Sequence, residues 1–260
     1  MSLGPLTAEI GDKDSPVRRF LDERFTAGLR DIQRRYRQAA PSPVVPSADR
    51  QDVNPGTVGT AADWLLRFLL HPTPSLQLAA VGASLCGMVS AFRDIAMSLG
   101  YGPGSGVAPA GTAGFAGPVS GSAAEPEDLA RACWALALLT EMYRNPVAAM
   151  NGPLGALGSR RASGSSLLSL ATPAAVTQLA RYRAVFEADL LPQLVRRPGR
   201  WFLGPTFTGS ALMKADADLI VAGLLLDLKT DSKFSLGIRS CSRSSGTPCS
   251  TSTMPTVSPG

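Results

Sequence analysis

The first polar and apolar rhythm along the chain is helical. From Val17, the apolar residues Phe20, Leu21, Leu29, Ile32 and Tyr36 recur at roughly helical spacing. Ser15 and Pro16 supply the start, a capping hydroxyl followed by a residue whose missing N–H costs nothing at the first helical position. Arg18, Arg19, Arg24, Arg30, Arg34, Arg35 and Arg37 fill the rest of the surface, a face suited to phosphates or to plain solvent. A Pro-rich linker, Pro41 to Pro46, ends the element. The pattern predicts a second helix after Asn54-Pro55-Gly56, carrying Ala61, Trp64, Leu65, Phe68 and Leu69 and stopped by His71-Pro72-Thr73-Pro74. A third apolar helix is expected to run to about Leu99.

Tyr101 to Ser122 is rich in glycine and proline and reads as a flexible loop. Its Gly104 and Gly106 form a G-x-G, but no preceding strand or Gly-Lys-Ser/Thr ending makes it a phosphate loop. Glu125-Pro126-Glu127-Asp128 opens another helix, its acids suited to the N-terminal dipole. That helix continues through Trp134, Leu138 and Tyr143 to about Asn145-Pro146. After a Gly/Ser-rich loop, Thr172-Pro173 starts a helix that reaches Leu191-Pro192. Then the rhythm changes. Trp201 to Phe207, Ala217 to Val221 and Leu224 to Thr230 read as three short strands. Helices followed by a three-strand antiparallel meander make an α+β chain. We divide it into a mainly helical region at 1–171, an αβββ unit at 172–238 and a Ser/Thr-rich tail at 239–260.

Composition narrows the chemistry. With 45% hydrophobic and 17% charged residues, 260 residues suffice for a sizeable core. The formal charge of +5 is compatible with a polyanionic partner and with a merely basic protein. One histidine, His71, excludes multi-His zinc sites and the HExxH helix. Cys86 and Cys133 fall in apolar stretches and read as small hydrophobes, while Cys241 and Cys249 lie in the tail. Met1 to Lys13 lacks the pattern of a signal peptide. Ser75 to Phe92 is uncharged, but its Ala, Gly and Ser content and the following Arg93-Asp94 favour a packed internal helix over a membrane span. A cytoplasmic location is expected.

The chemistry concentrates in one hairpin. If Ala222-Gly223 is a two-residue turn, Val221 pairs with Leu224, Leu219 with Leu226, and Asp218 with Asp227. Asp216 then falls opposite Lys229. Opposed residues share a face, so this register gathers Asp216, Asp218, Asp227 and Lys229 on one side. Facing carboxylates repel unless a cation lies between them, and Mg²⁺ commonly takes one or two carboxylates plus waters and phosphate. Lys229 is suited to stabilise phosphate charge or orient the attacking water. The competing reading is a surface hairpin with solvated acids. The apolar Leu219, Ile220, Val221, Leu224, Leu225, Leu226 and Leu228 weigh against it, because such strands are usually covered and buried acids are costly without a cation.

Asp218 to Thr230 resembles the Asp…Asp/Glu-x-Lys signature of the PD-(D/E)xK nucleases, in particular their RecB-type branch. The resemblance implies Asp218 and Asp227 as metal-binding acids, the Leu228 carbonyl as a further ligand and Lys229 as the catalytic lysine, with Mg²⁺ or Mn²⁺ as cofactor. Asp216 has no fixed role in that pattern. A helix preceding the sheet often donates another acid in the family, for which Glu187 and Glu141 are the candidates.

In that family the fold continues past the lysine strand with a helix, often bearing Gln-x-x-x-Tyr, and a further strand. From Arg239 this chain is Ser/Thr-rich and without helical period. A frameshift near Ile238 is our reading of that departure. Shifting the frame turns TCN serine codons into apolar ones, and Cys241 to Met254 then yields a helical spacing containing Gln-x-x-x-Tyr. The expectation is therefore a metal-dependent nuclease acting on DNA, C-terminally truncated or frameshifted and inactive if the loss reaches the active domain. The alternative is a non-catalytic basic helical protein, binding nucleic acid or another partner, with a nuclease-fold remnant.

Overall fold

The computed structural model describes residues 6–38, 53–103, 114–117, 121–205 and 217–228. These belong to two compact units, one containing residues 6–38 and Ala217, the other residues 53–205 and 218–228 within the bounds just given. Among the described residues no helix is long and apolar enough to cross a membrane.

In the first unit, α1 (Leu6–Gly11) precedes α2 (Pro16–Gln38). Ser15 caps α2 as expected: its hydroxyl accepts the Arg18 N–H at 3.0 Å and donates to the Glu9 carbonyl at 2.6 Å. Ile10 and Leu21 form the small core, with Val17 against it. Among the described side chains, Arg18, Arg34 and Arg35 of α2 lean on acids of the same helix. Arg18 reaches Asp22 at 2.8 Å, Arg35 reaches Asp31 at 2.8 Å, and Arg34 also pairs with Asp31. Such exposed pairs contribute about 0–1 kcal/mol each and tie up part of the basic face.

The second unit is built on two helices apolar nearly all round. α3 (Pro55–Leu70) begins where Asn54 accepts the Gly56 N–H at 2.9 Å, and α6 (Pro126–Arg144) packs against it. The Trp64 indole donates to the Thr140 hydroxyl at 3.1 Å, pinning the two helices through buried polar atoms. The stretch expected to be one helix reaching Leu99 is two, α4 (Gln77–Leu85) and α5 (Val89–Ser98). The break is at Gly87, whose φ of +71° suits glycine and ends α4 in a left-handed turn. Gly82 explains why Ala, Gly and Ser dominate here: a β-carbon at that position would collide with the Leu139 backbone of α6. The small residues buy close helix packing.

The Gly/Ser-rich connection after α6 holds short helices, α7 (Pro146–Met150), α8 (Pro153–Leu157) and α9 (Gly164–Leu168), with a 3₁₀ turn at Ser159–Arg161. α10 (Pro173–Val185) starts at the expected Thr172 cap. It does not stop at Pro192. A π-helical turn, Phe186–Leu190, leads into α11 (Leu191–Val195). The wider turn accommodates a proline that lacks an N–H and would otherwise crowd the preceding carbonyls.

The strands form one antiparallel sheet in the order β1-β2-β3-β4, comprising Phe115–Ala116, Arg200–Leu203, Leu219–Val221 and Leu224–Leu226. Three strands and their meander follow the sequence reading. The additional strand, β1, comes from the stretch read as a flexible loop. Phe115 is held there by Trp201, ring centroids 6.4 Å apart, and by His71 at 4.9 Å, while Gly114 leaves room for the Phe202 ring. Helices and strands share one core running from Val58 to Val221, so elements on both sides of residue 171 pack together. The protein has α+β architecture, mostly helical with an antiparallel sheet.

Candidate functional site

The hairpin forms in the register that a two-residue turn dictates. Val221 pairs with Leu224, Ile220 with Leu225 and Leu219 with Leu226. Ala222 and Gly223 both have positive φ, +49° and +80°, which a type I′ turn needs at its two central positions. Trp201 and Leu203 of β2 lie opposite Val221 and Leu219 on the face turned into the core. Burial of side chains such as Leu219 and Val221 stabilises the unit by about 1.5–3 kcal/mol each. It also locks the register, since a one-residue slip would send every apolar side chain to the wrong face.

Continued one step beyond its last pair, Leu219 and Leu226, the register sets Asp218 against Asp227, whose charge acts on it. The strand continues past its ladder at this point: the Asp218 carbonyl accepts the Gly204 N–H at 2.9 Å. The Asp218 carboxylate, through Oδ2, accepts the Leu228 N–H at 2.6 Å. Burial pushes Asp218 far above the ordinary carboxylate range, to about 8. The negative charges of Asp63 and then Asp227 add to the rise, while the Leu228 N–H and Arg67 oppose it. Two acids thus act on a third that is already starved of solvent, an arrangement that favours a bound proton or a bound cation.

Of the residues anticipated for the site, Asp218 and Asp227 come together here, and Leu228 joins them through its N–H, whereas the sequence reading assigned its carbonyl. Asp216 and Lys229 lie outside the described residues. Glu187 sits on the π-helical turn, partly exposed, where Arg183 holds it at 2.8 Å, and it is not among the groups acting on Asp218. Glu141 is also elsewhere. It accepts the Thr57 hydroxyl at 2.7 Å and lines a cavity of about 780 Å³ between α3, α6, α7 and α8, with burial raising its pKa.

Sequence reasoning missed Asp63 and Arg67. They are the two charged residues of α3 and are almost fully buried, 4% and 2% exposed. Arg67 Nε donates to Asp63 Oδ1 at 3.0 Å and Nη2 to Oδ2, a fork on a carboxylate one helical turn away. The available signal was an acid and an arginine spaced i, i+4 inside an otherwise apolar helix. His71, by contrast, is a packing residue: its Nδ1 accepts the Thr73 N–H at 3.1 Å and burial lowers its pKa.

Among the described residues, no three His, Cys, Asp or Glu side chains gather into a group able to hold a metal ion. The two neighbouring carboxylates that are described, Asp218 and Asp227, fit a hard cation that takes one or two carboxylates and keeps several waters, as Mg²⁺ does, better than one needing a full protein cage. Compared with family models, with curated proteins and with solved structures, the chain matches none.

Proposed function

We propose that this protein is a metal-dependent phosphodiesterase that hydrolyses nucleic acid, with DNA as the substrate, in the manner of the PD-(D/E)xK nucleases that Asp218 to Thr230 resembles. The observation that carries the reading is the hairpin register, which sets Asp218 opposite Asp227 where burial and neighbouring acids disfavour a bare carboxylate. Asp218, Asp227 and the Leu228 carbonyl would hold Mg²⁺ or Mn²⁺, with Asp216 and Glu187 as the further acids of the sequence reading. The bound ion supplies charge neutralisation at phosphate and acidifies a water. The protein's own groups do the rest. Asp218 keeps Leu228 in place by accepting its N–H, Asp227 contributes the second negative charge, and Lys229 would stabilise the charge developing on phosphate.

A rival reading makes the chain a non-catalytic basic helical protein that binds nucleic acid or another partner and carries a nuclease-like remnant. The exposed Arg19, Arg24 and Arg30 of α2 favour it. Cleavage of end-labelled DNA with Mg²⁺, compared between wild type and Lys229→Ala, separates the two. Loss of cleavage with retained DNA binding in the variant supports the enzyme. Cleavage unaffected by the substitution eliminates this site, and DNA binding without cleavage in the wild type favours the rival.

A further inference from the structure

The pair on α3 sits where an apolar helix has no need of charge. Taking two ions out of water costs several kcal/mol per ion, and well-packed apolar residues often replace such pairs without loss of stability. Yet Asp63 and Arg67 are buried, forked together, and backed by Trp64, over whose ring the Arg67 guanidinium lies at 4.7 Å. The backbone has been shaped around them. Gly204 adopts a φ of +57°, and a β-carbon there would collide with the Arg67 guanidinium. The same Gly204 donates its N–H to the Asp218 carbonyl at 2.9 Å.

These contacts run in one direction. Asp63 fixes the plane of the Arg67 guanidinium, and the guanidinium packs on Gly204 at the end of β2. Gly204 anchors the Asp218 backbone, and the Asp218 side chain then holds the Leu228 N–H. We infer that Asp63 and Arg67 are positioning residues: a buried brace that sets Asp218, and through it the Leu228 peptide, in the geometry that receives the divalent cation. The inference rests on the metal-dependent reading of the hairpin. Neither residue is assigned contact with substrate.

The brace makes Arg67 different from a generic cation. Lysine keeps the charge but loses the planar fork that reads the Asp63 carboxylate in two places. The test is the Mn²⁺ affinity of the full chain by calorimetry, alongside thermal melting, for wild type, Arg67→Lys and the neutral double variant Asp63→Asn with Arg67→Met. The expected result is that Arg67→Lys melts cooperatively yet binds Mn²⁺ about 10–100-fold more weakly, the usual loss when a residue supporting a metal ligand is removed. The double variant is expected to fold and to show the same loss. Wild-type affinity in either folded variant overturns the brace, because a merely structural pair would leave the cation site intact. No Mn²⁺ binding by the wild type overturns the metal reading itself, and the brace with it.

Discussion

Asp218 accepts the backbone N–H of Leu228 at 2.6 Å, a bond across the open end of the hairpin between residues ten apart in sequence. It replaces the next rung of the ladder. The carboxylate therefore has two demands on it: it closes the hairpin, and it sits half-buried near Asp63 and Asp227, where loss of solvent, with the two neighbouring negative charges adding to it, raises its pKa to about 8.

That second demand has a direction. A carboxyl whose folded pKa lies above its unfolded value binds protons more tightly in the folded state, so stability falls as pH rises from the ordinary carboxylate range through about 8. Asp218→Asn keeps an oxygen for the Leu228 N–H and removes the charge. In metal-free buffer at pH 8–9 the variant is expected to melt higher than wild type, by an amount on the order of a few kcal/mol, with the gap closing towards pH 5. Mg²⁺ is expected to raise the wild-type melting temperature at pH 8 and leave the variant unmoved. A variant less stable than wild type at pH 8–9 without metal contradicts this.

The turn offers a second check. Ala222 has a φ of +49°, a left-handed conformation that costs a non-glycine residue about 1–2 kcal/mol. Asparagine tolerates it better, and Asn-Gly is the preferred pair for this turn. Ala222→Asn is expected to stabilise the protein by about 0.5–1 kcal/mol in denaturant unfolding. Destabilisation would mean that the turn is not of this kind.

How much of this was legible in the sequence follows from what is local. The helix starts at Ser15, Asn54 and Thr172 and the register around Ala222-Gly223 are set by near neighbours, so residue type and spacing sufficed. The Gly87 break and the passage of the last helix through Pro192 were missed for different reasons. One is a single glycine in an apolar run, and the other needs a π-helical turn that no periodicity announces. Phe115 joins the sheet because Trp201 and His71, distant in sequence, offer it a surface. Asp63 and Arg67 were invisible as site residues because a pair spaced i, i+4 looks the same whether its helix lies at the surface or, as here, in the core.

The single histidine allows a clean spectroscopic test of its role. Burial lowers the His71 pKa, outweighing the opposite effect of its hydrogen bond with the Thr73 backbone. Its imidazole proton signals are expected to titrate with a midpoint below the ordinary 6.5, and stability is expected to fall as pH drops through that value, where the unfolded chain binds the proton first. A midpoint at or above 6.5 contradicts the packing role given to His71.

A divalent cation shared by Asp218 and Asp227 would sit at the open end of the hairpin. Mn²⁺ broadens the NMR signals of nuclei close to it, so a titration of ¹⁵N-labelled protein with substoichiometric Mn²⁺ locates the ion directly. The amide signals of Asp218, Asp227 and Leu228 are expected to vanish first, followed by Gly204 and Leu219, while those of α6 such as Leu136 persist. Uniform weak broadening, or first losses at another acidic position such as Glu187 or Glu141, would contradict it.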